Sequence, residues 1–228
     1  MNTRLTAISS MATRQVLADL ADAWRHMGGD IAFEAAGGVE AAKRVQDGEK
    51  FDVVVLAADA IDRLVAAGRI VAGSKTSLAQ SAVAMAVRAG TPWPAIDTEA
   101  ALREAVQSAR TIGYSTGPSG VALQLLFERW GIAEAIGHRV VQAAPGIPVG
   151  ALLARGEVDL GFQQLSELMH MDGIDVIGPM PPGLEIVTMF AGGICTASTQ
   201  VDAARALLDF IRSPAADEAK RRHGMQPA

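Results

Sequence analysis

Apolar runs alternate with amphipathic segments along almost the whole chain. Leu5–Ile8 and Asp52–Ala57 are short and continuously apolar, which is typical of strands buried on both faces. Between them, apolar residues recur at helical spacing, as at Val16, Leu20 and Trp24, which predicts an amphipathic helix. The remaining predicted strands are Ile31–Ala35, Ser81–Val87, Thr111–Tyr114, Arg139–Gln142, Val158–Gly161, Asp175–Ile177 and Ile186–Thr196.

Strands that alternate with helices predict an α/β fold with mainly parallel sheets flanked by helices. About ten strands are more than one small sheet usually holds. We therefore expect two lobes, residues 1–82 with 194–228 and residues 83–193. Two extended crossings would join the lobes and form a hinge.

Composition and charge exclude several classes of protein. The 228 residues carry a net charge of −5 and are 50% hydrophobic, so the chain can form a sizeable core. Basic residues form no broad stripe, which argues against nucleic-acid binding, and no apolar run is long enough to insert into a membrane. The single cysteine, Cys195, lies in an apolar strand-like segment and is interpreted as a buried structural thiol.

The sequence shows no motif for a metal site or for a nucleotide cofactor, so we expect neither. The segment after Arg4 is too short for the apolar centre of a signal peptide and is predicted to be the first strand. As the sequence stands it predicts a cytoplasmic protein, or a periplasmic one if a leader has been removed.

The run from Gly113 to Gly120, followed by the helical stretch Val121–Trp130, is the most informative local pattern. It predicts a strand, a turn of glycine, proline and serine, and then a helix start. Backbone N–H groups at a helix start lack partners within the helix, and the helix dipole adds positive potential there, so the place suits an anion. Ser9-Ser10 and Gly37-Gly38 precede two further predicted helices in the same way.

Each of these residues also has an interpretation without a ligand. Ser10 could simply cap the first helix, and Gly37-Gly38 could be only a tight turn. Ser119, with Gly120 beside it, is both a natural helix cap and a natural ligand contact. Gln163 and Gln164 follow a predicted buried strand and could bind a ligand or cap the next turn. The candidate ligand-binding residues are Ser9, Ser10, Gly37, Gly38, Ser119, Gly120, Val149, Gln163 and Gln164.

A series of short motifs extends over nearly the whole chain: Thr6–Met11, Ala36–Gly38, Asp52–Asp59, Gly117–Gly120, Val149–Leu153, Gly156–Gly161, Ala191–Ser198 and Ala204–Ala216. Their order and spacing resemble those of the molybdate-type periplasmic binding proteins. The resemblance implies a type II binding-protein fold, in which two α/β lobes close on an oxyanion held by serine hydroxyls and backbone N–H groups. Carried over by position, the binding groups would be Ser10, Gly37, Ser119, Val149 and Gln164, with Ser9 and Gly38 as neighbours.

Three positions depart from the molybdate pattern. Molybdate binders have a serine near Ala36-Gly37, an alanine where this chain has Ser119 and a tyrosine where it has Gln164. An amide and an additional hydroxyl suit an organic di- or tricarboxylate better than molybdate. We therefore expect a solute-binding protein for a small carboxylate anion, with an ABC transporter permease as a partner if the chain is exported.

Aconitate isomerase also resembles these binding proteins, so an isomerase of an unsaturated polycarboxylate is the alternative. Tyr114, Glu167 or His170 would then carry the proton. Whether the chain is an enzyme stays open at this point. A cytoplasmic ligand-sensing domain is a third, weaker alternative.

Overall fold

The computed structural model describes residues 4–228, which form ten strands and ten α-helices. The strands are β1 (Leu5–Ser10), β2 (Ile31–Ala36), β3 (Val53–Ala57), β4 (Thr76–Arg88), β5 (Ile112–Tyr114), β6 (Val140–Gln142), β7 (Leu160–Gln164), β8 (Ile174–Pro179), β9 (Val187–Ile194) and β10 (Gln226–Pro227). The helices are α1 (Arg14–His26), α2 (Gly38–Gln46), α3 (Ala58–Ala66), α4 (Glu99–Ser108), α5 (Pro118–Arg129), α6 (Ala133–Ile136), α7 (Val149–Ala154), α8 (Leu165–Leu168), α9 (Val201–Arg212) and α10 (Asp217–Arg222). The α/β class predicted from the sequence is confirmed.

The chain divides into two compact units. Unit 1 comprises the described residues up to Ser81 together with Thr188–Ala228, and unit 2 comprises Ala82–Val187. The chain passes from unit 1 to unit 2 within β4 and returns at the start of β9.

The sheet of unit 1 is built around β1, which pairs in parallel with β2 and with β3. Alternate side chains of β3 enter two different clusters of buried apolar residues, Val53 and Val55 in one and Val54 and Leu56 in the other. Both faces of the strand are therefore covered, which is why the sequence shows a continuous apolar run there. On its other side β3 pairs antiparallel with β9, and the first half of β4 pairs antiparallel with β10.

Parallel pairing fixes which turns of unit 1 lie near each other. Ser10 is the register partner of Ala36, and Ser9 is the partner of Val55. The carboxyl ends of β1, β2 and β3 therefore meet at one edge of the sheet. Each of them leads directly into a helical segment there, a 3₁₀ turn at Met11–Thr13, helix α2 and helix α3.

The sheet of unit 2 has the strand order β8, β4, β7, β5, β6. Strand β5 is parallel to β6 and β7, whereas β4 is antiparallel to β7 and β8. Strand β7 extends three residues beyond the predicted Gly161, so Gln163 and Gln164 belong to the strand itself. All five residues of β7 are buried, and these two polar residues continue the buried segment past the point where the apolar run ends.

Two glycines on neighbouring strands bring α7 close to this sheet. Gly113 of β5 is the register partner of Gly161 of β7. A Cβ atom on Gly113 would lie 3.0 Å from Cγ1 of Val149, and one on Gly161 would lie 2.8 Å from the same atom. Because neither strand has a side chain at these positions, the first residue of α7 packs directly on the sheet.

Candidate anion-binding site

The serines at the end of β1 are buried and lie against neighbouring backbone. The Ser9 hydroxyl donates to the main-chain oxygen of Glu34 on β2 at 3.4 Å. Ser10 Oγ lies 3.5 Å from Oγ1 of Thr13, whose hydroxyl donates to the Ser10 carbonyl oxygen at 3.0 Å. The Ser10 side chain makes no capping hydrogen bond to any backbone N–H of the described residues, which removes the simple cap as the explanation of this serine.

Gly37 and Gly38 stand where β2 becomes α2. Gly37 has φ −54° and ψ 136°, which any residue can adopt, and Gly38 is the first residue of the helix. A tight turn therefore does not account for either glycine. A Cβ atom on Gly38 would lie 3.7 Å from Cβ of Ser10, an ordinary van der Waals distance. The structure thus brings Gly38 and Ser10 together, and glycine keeps the backbone beside Ser10 accessible.

Ser119 lies on the first turn of α5, after the β5–α5 turn. Its side chain is buried, and its hydroxyl hydrogen-bonds to that of Ser115, with 3.5 Å between the two Oγ atoms. Gly117 in this turn has φ 99°, in the left-handed region that favours glycine. Ser115 was not among the site residues predicted from the sequence, although it lies within the run from Gly113 to Gly120.

Gly120 has a packing role. A Cβ atom there would lie 2.1 Å from the Ser115 main-chain oxygen and 2.9 Å from Cδ2 of Tyr114. Glycine at this position lets the first turn of α5 pack closely against the β5–α5 turn that precedes it. This close approach places the first turn of α5, which carries Ser119, beside the Ser115 backbone.

A chain of two hydrogen bonds links α7, β7 and α8. The buried Val149 N–H donates to Oε1 of Gln163 at 2.8 Å, and Nε2 of Gln163 donates to Oε2 of Glu167 at 2.6 Å. A backbone N–H can only donate, so the carbonyl end of the amide must face Val149. The amino end of Gln163 is therefore directed at Glu167. The N–H of Val149 thus has an acceptor within the protein.

Glu167 is half-buried, and this burial raises the pKa of its carboxyl group to about 7. Burial disfavours the charged form, and the hydrogen bond donated by Gln163 opposes this effect by favouring the ionised carboxylate. The group therefore gains and loses its proton near neutral pH. A carboxyl group with such a pKa can act as a general acid or a general base.

The other candidates of unit 2 have different surroundings. Gln164 is the buried last residue of β7, and its φ of −54° and ψ of 134° match those of Gly37. Tyr114 is buried at the end of β5, where its phenol oxygen accepts a hydrogen bond from Nε2 of Gln124 at 2.6 Å. His170 is exposed beyond α8. Of the three proposed proton carriers, Glu167 thus has the environment that best suits proton transfer.

Two general features of the described residues concern metal ions and membranes. Residues 4–228 contain no group of three or more His, Cys, Asp or Glu side chains that could hold a metal ion. None of the helices in the same range is both long and apolar enough to cross a membrane. Cys195 is buried in unit 1, and burial, followed by the nearby Asp52 carboxylate, raises the pKa of its thiol to about 12.

Comparison with known proteins gives the class of protein. The family model for bacterial extracellular solute-binding proteins matches residues 5–226, so the chain belongs to that family. The periplasmic molybdate-binding protein of Azotobacter vinelandii has a similar structure, with a TM-score of 0.80 at 18% identity over 97% of this chain and 98% of that one. The type II periplasmic binding-protein fold that the motif order implied is confirmed.

Two relatives are similar in sequence. An aconitate isomerase from a Pseudomonas species is 36% identical over 232 residues, which is 99% of this chain and 88% of the relative. The molybdate-binding protein ModA of Azotobacter vinelandii is 27% identical over 191 residues, 79% of this chain and 73% of the relative. The resemblance stated from the sequence is therefore confirmed for both kinds of relative.

Proposed function

We propose that this solute-binding protein binds a small organic polycarboxylate, a di- or tricarboxylate, in preference to a molybdate-type oxyanion. The observation that carries the proposal is the hydrogen bond from the Val149 N–H to Gln163. The resemblance to molybdate binders assigned that N–H to the oxyanion, and here the protein itself supplies the acceptor. The 36% identity to an aconitate isomerase, over 99% of the chain, supports a tricarboxylate ligand.

The ligand contacts in this proposal are neutral hydrogen-bond donors at strand ends. In unit 1 they are Ser10 and the backbone at Gly37 and Gly38, and in unit 2 they are Ser119 and Gln164. Hydroxyl and amide donors suit carboxylate oxygens, and each hydrogen bond to a charged group contributes about 1.5–3 kcal/mol. Ser9 and Gly120 support this set, since the first bonds the backbone of β2 and the second packs under the β5–α5 turn.

Isothermal titration calorimetry with trans-aconitate, tricarballylate, sulfate and molybdate tests the proposal. We expect the tricarboxylates to bind more tightly than either oxyanion. Ser10→Ala and Ser119→Ala should each weaken the binding of trans-aconitate by about tenfold, because each removes a hydrogen bond to a charged group. Ser108→Ala, which changes an exposed serine at the end of α4, is the control and should bind like the wild type. Equal or tighter binding of molybdate would refute the preference.

A second candidate function is isomerisation of the bound polycarboxylate, and the environment of Glu167 favours it. The ionised Glu167 would take a proton from a methylene carbon that lies between a carboxylate and a double bond. The protonated residue would return the proton to the far carbon of the double bond, which thereby moves by one position. One C–H bond breaks, another forms, and no oxidant or reductant is needed.

Proton exchange in deuterated water tests this second function. We expect the wild-type protein to incorporate deuterium at carbon into trans-aconitate and to interconvert the cis and trans isomers, with Glu167→Gln inactive in both respects. Tyr114→Phe and His170→Gln should keep most of the activity. A wild-type protein that binds trans-aconitate without exchanging carbon-bound hydrogen would leave only the binding function.

For the binding function we propose an ABC transporter permease as the partner and the periplasm as the compartment. Membership of the extracellular solute-binding family supports both. Fractionation of the native host with an antibody against the chain tests the compartment. Recovery of the protein only in the cytoplasmic fraction would contradict the transport function.

A further inference from the structure

The Gln163 side chain makes two directed hydrogen bonds with one amide group. Its carbonyl oxygen accepts from the Val149 N–H at 2.8 Å, and its amino group donates to Glu167 at 2.6 Å. Gln163 is 2% exposed, and its bond with the Val149 N–H is buried, whereas the bond with Glu167 is partly buried. The first bond fixes the orientation of the amide, and the second follows from that orientation.

The surroundings of Glu167 leave Gln163 as its principal polar neighbour. Helix α8 packs against β7 and α7, and neither of these elements contains a charged residue. The charged residues that follow α7, Arg155 and Glu157, pair with each other at the surface. His170 follows α8 and is exposed. Among the described residues, burial is the main influence on the proton state of Glu167, and the hydrogen bond from Gln163 opposes it.

We propose that Gln163 is a positioning residue, which aims Glu167 and holds it in the ionised form that accepts the proton of a bound polycarboxylate. The assignment rests on the isomerase function proposed above. The amide N–H of Gln163 stabilises the carboxylate before the proton is taken. Val149 acts one step further away, because its N–H prevents the amide from turning its oxygen toward Glu167.

The assignment also gives a reason for glutamine at position 163. Leucine in place of Gln163 would leave the Val149 N–H buried without its acceptor and Glu167 without its donor. A carboxylate at position 163 could still accept from Val149 but would face Glu167 with like charge. Both changes favour the protonated form of Glu167, so both raise its pKa.

The test is the pH profile of deuterium incorporation into trans-aconitate by the wild type, Gln163→Leu and Gln163→Glu. Loss of a hydrogen bond to a charged group should move the acid limb of the profile upward by about one pH unit or more. Gln107→Leu replaces an exposed glutamine of α4 and should leave the profile unchanged. Nuclear magnetic resonance of the Glu167 side-chain carbon should show the same upward shift without relying on turnover.

The outcomes separate the two proposals. Gln163 variants that exchange carbon-bound hydrogen more slowly, but with the pH midpoint of the wild type, would show that Gln163 only holds α7 in place, and the assignment would be overturned. If Gln163→Leu does not fold, Gln163→Glu, which keeps the Val149 acceptor, decides the matter alone. A wild type that exchanges nothing at any pH would overturn the isomerase function itself, and with it this assignment.

Discussion

Replacing Glu167 with glutamine should make the protein more stable above neutral pH. The wild-type carboxyl group has a pKa of about 7 in the folded chain, against an ordinary value of 4.5. At 1.36 kcal/mol per pH unit, this difference corresponds to about 3 kcal/mol. The glutamine side chain has nearly the same shape, and its carbonyl oxygen can still accept the hydrogen bond from Gln163.

The sign follows from proton binding in the two states. Between pH 4.5 and about 7 the unfolded chain has lost this proton while the folded chain keeps it. The free energy of unfolding therefore falls as the pH rises through this window, and the full penalty is present above pH 7. A neutral glutamine has no such penalty, so the variant should match the wild type at pH 4.5 and exceed it by up to about 3 kcal/mol at pH 8.

Urea denaturation followed by tryptophan fluorescence at several pH values measures the effect. Glu128→Gln, which changes an exposed carboxyl on α5, is the matched control and should show no comparable gain. If the difference between Glu167→Gln and the wild type is the same at pH 5 and pH 8, then Glu167 does not titrate near neutrality and the reasoning fails. Retention of a destabilising carboxyl group is expected where activity requires it.

Three further predictions concern the scaffold. Gly161→Ala should destabilise the protein by about 1–3 kcal/mol in urea denaturation, because the new Cβ would lie 2.8 Å from Cγ1 of Val149; an unchanged midpoint would contradict the packing described here. Cys195 should not react with iodoacetamide at pH 8 until the protein is unfolded, since burial raises the pKa of its thiol to about 12; rapid labelling of the native protein would disprove this. Asp19→Asn should lower stability modestly at pH 7, because the hydrogen bond with His223, the largest cause, lowers the pKa of Asp19. That difference should shrink as the pH falls below 3.8, the ordinary value for an aspartate, and a difference that stays constant would refute the pairing.

Much of the fold was predictable because its strands are buried on both faces. Val53–Leu56 form a continuous apolar run. A short run of this kind between two helical segments is typical of a strand that is buried on both faces. The serine and glycine turns were predictable for a similar reason, since their residue types stand at the strand ends. The order of these turns along the chain was enough to indicate the family.

The contacts that distinguish this site were not predictable from the pattern. Strand β7 continues through Gln163 and Gln164, whereas an apolar pattern ends at Phe162. The bond from Val149 to Gln163 joins residues 14 positions apart and depends on how α7 packs on two glycines. No local pattern contains that information, because it arises only when the helix is placed on the sheet.

The raised pKa of Glu167 could not be predicted from the sequence for the same reason. In sequence the residue stands in a short polar segment, which is more often a solvated turn. Its burial comes from the packing of α8 against β7 and α7. A residue of this kind is recognised only when its neighbours in space are known.

A crystal structure of the protein with trans-aconitate bound is the most direct test of the proposed carboxylate site. We expect carboxylate oxygens within hydrogen-bond distance of Ser119 Oγ and of the Gln164 side-chain amide, with the Val149 N–H still donating to Gln163. A ligand bound away from these residues, or a Val149 N–H turned from Gln163 to the ligand, would contradict this expectation.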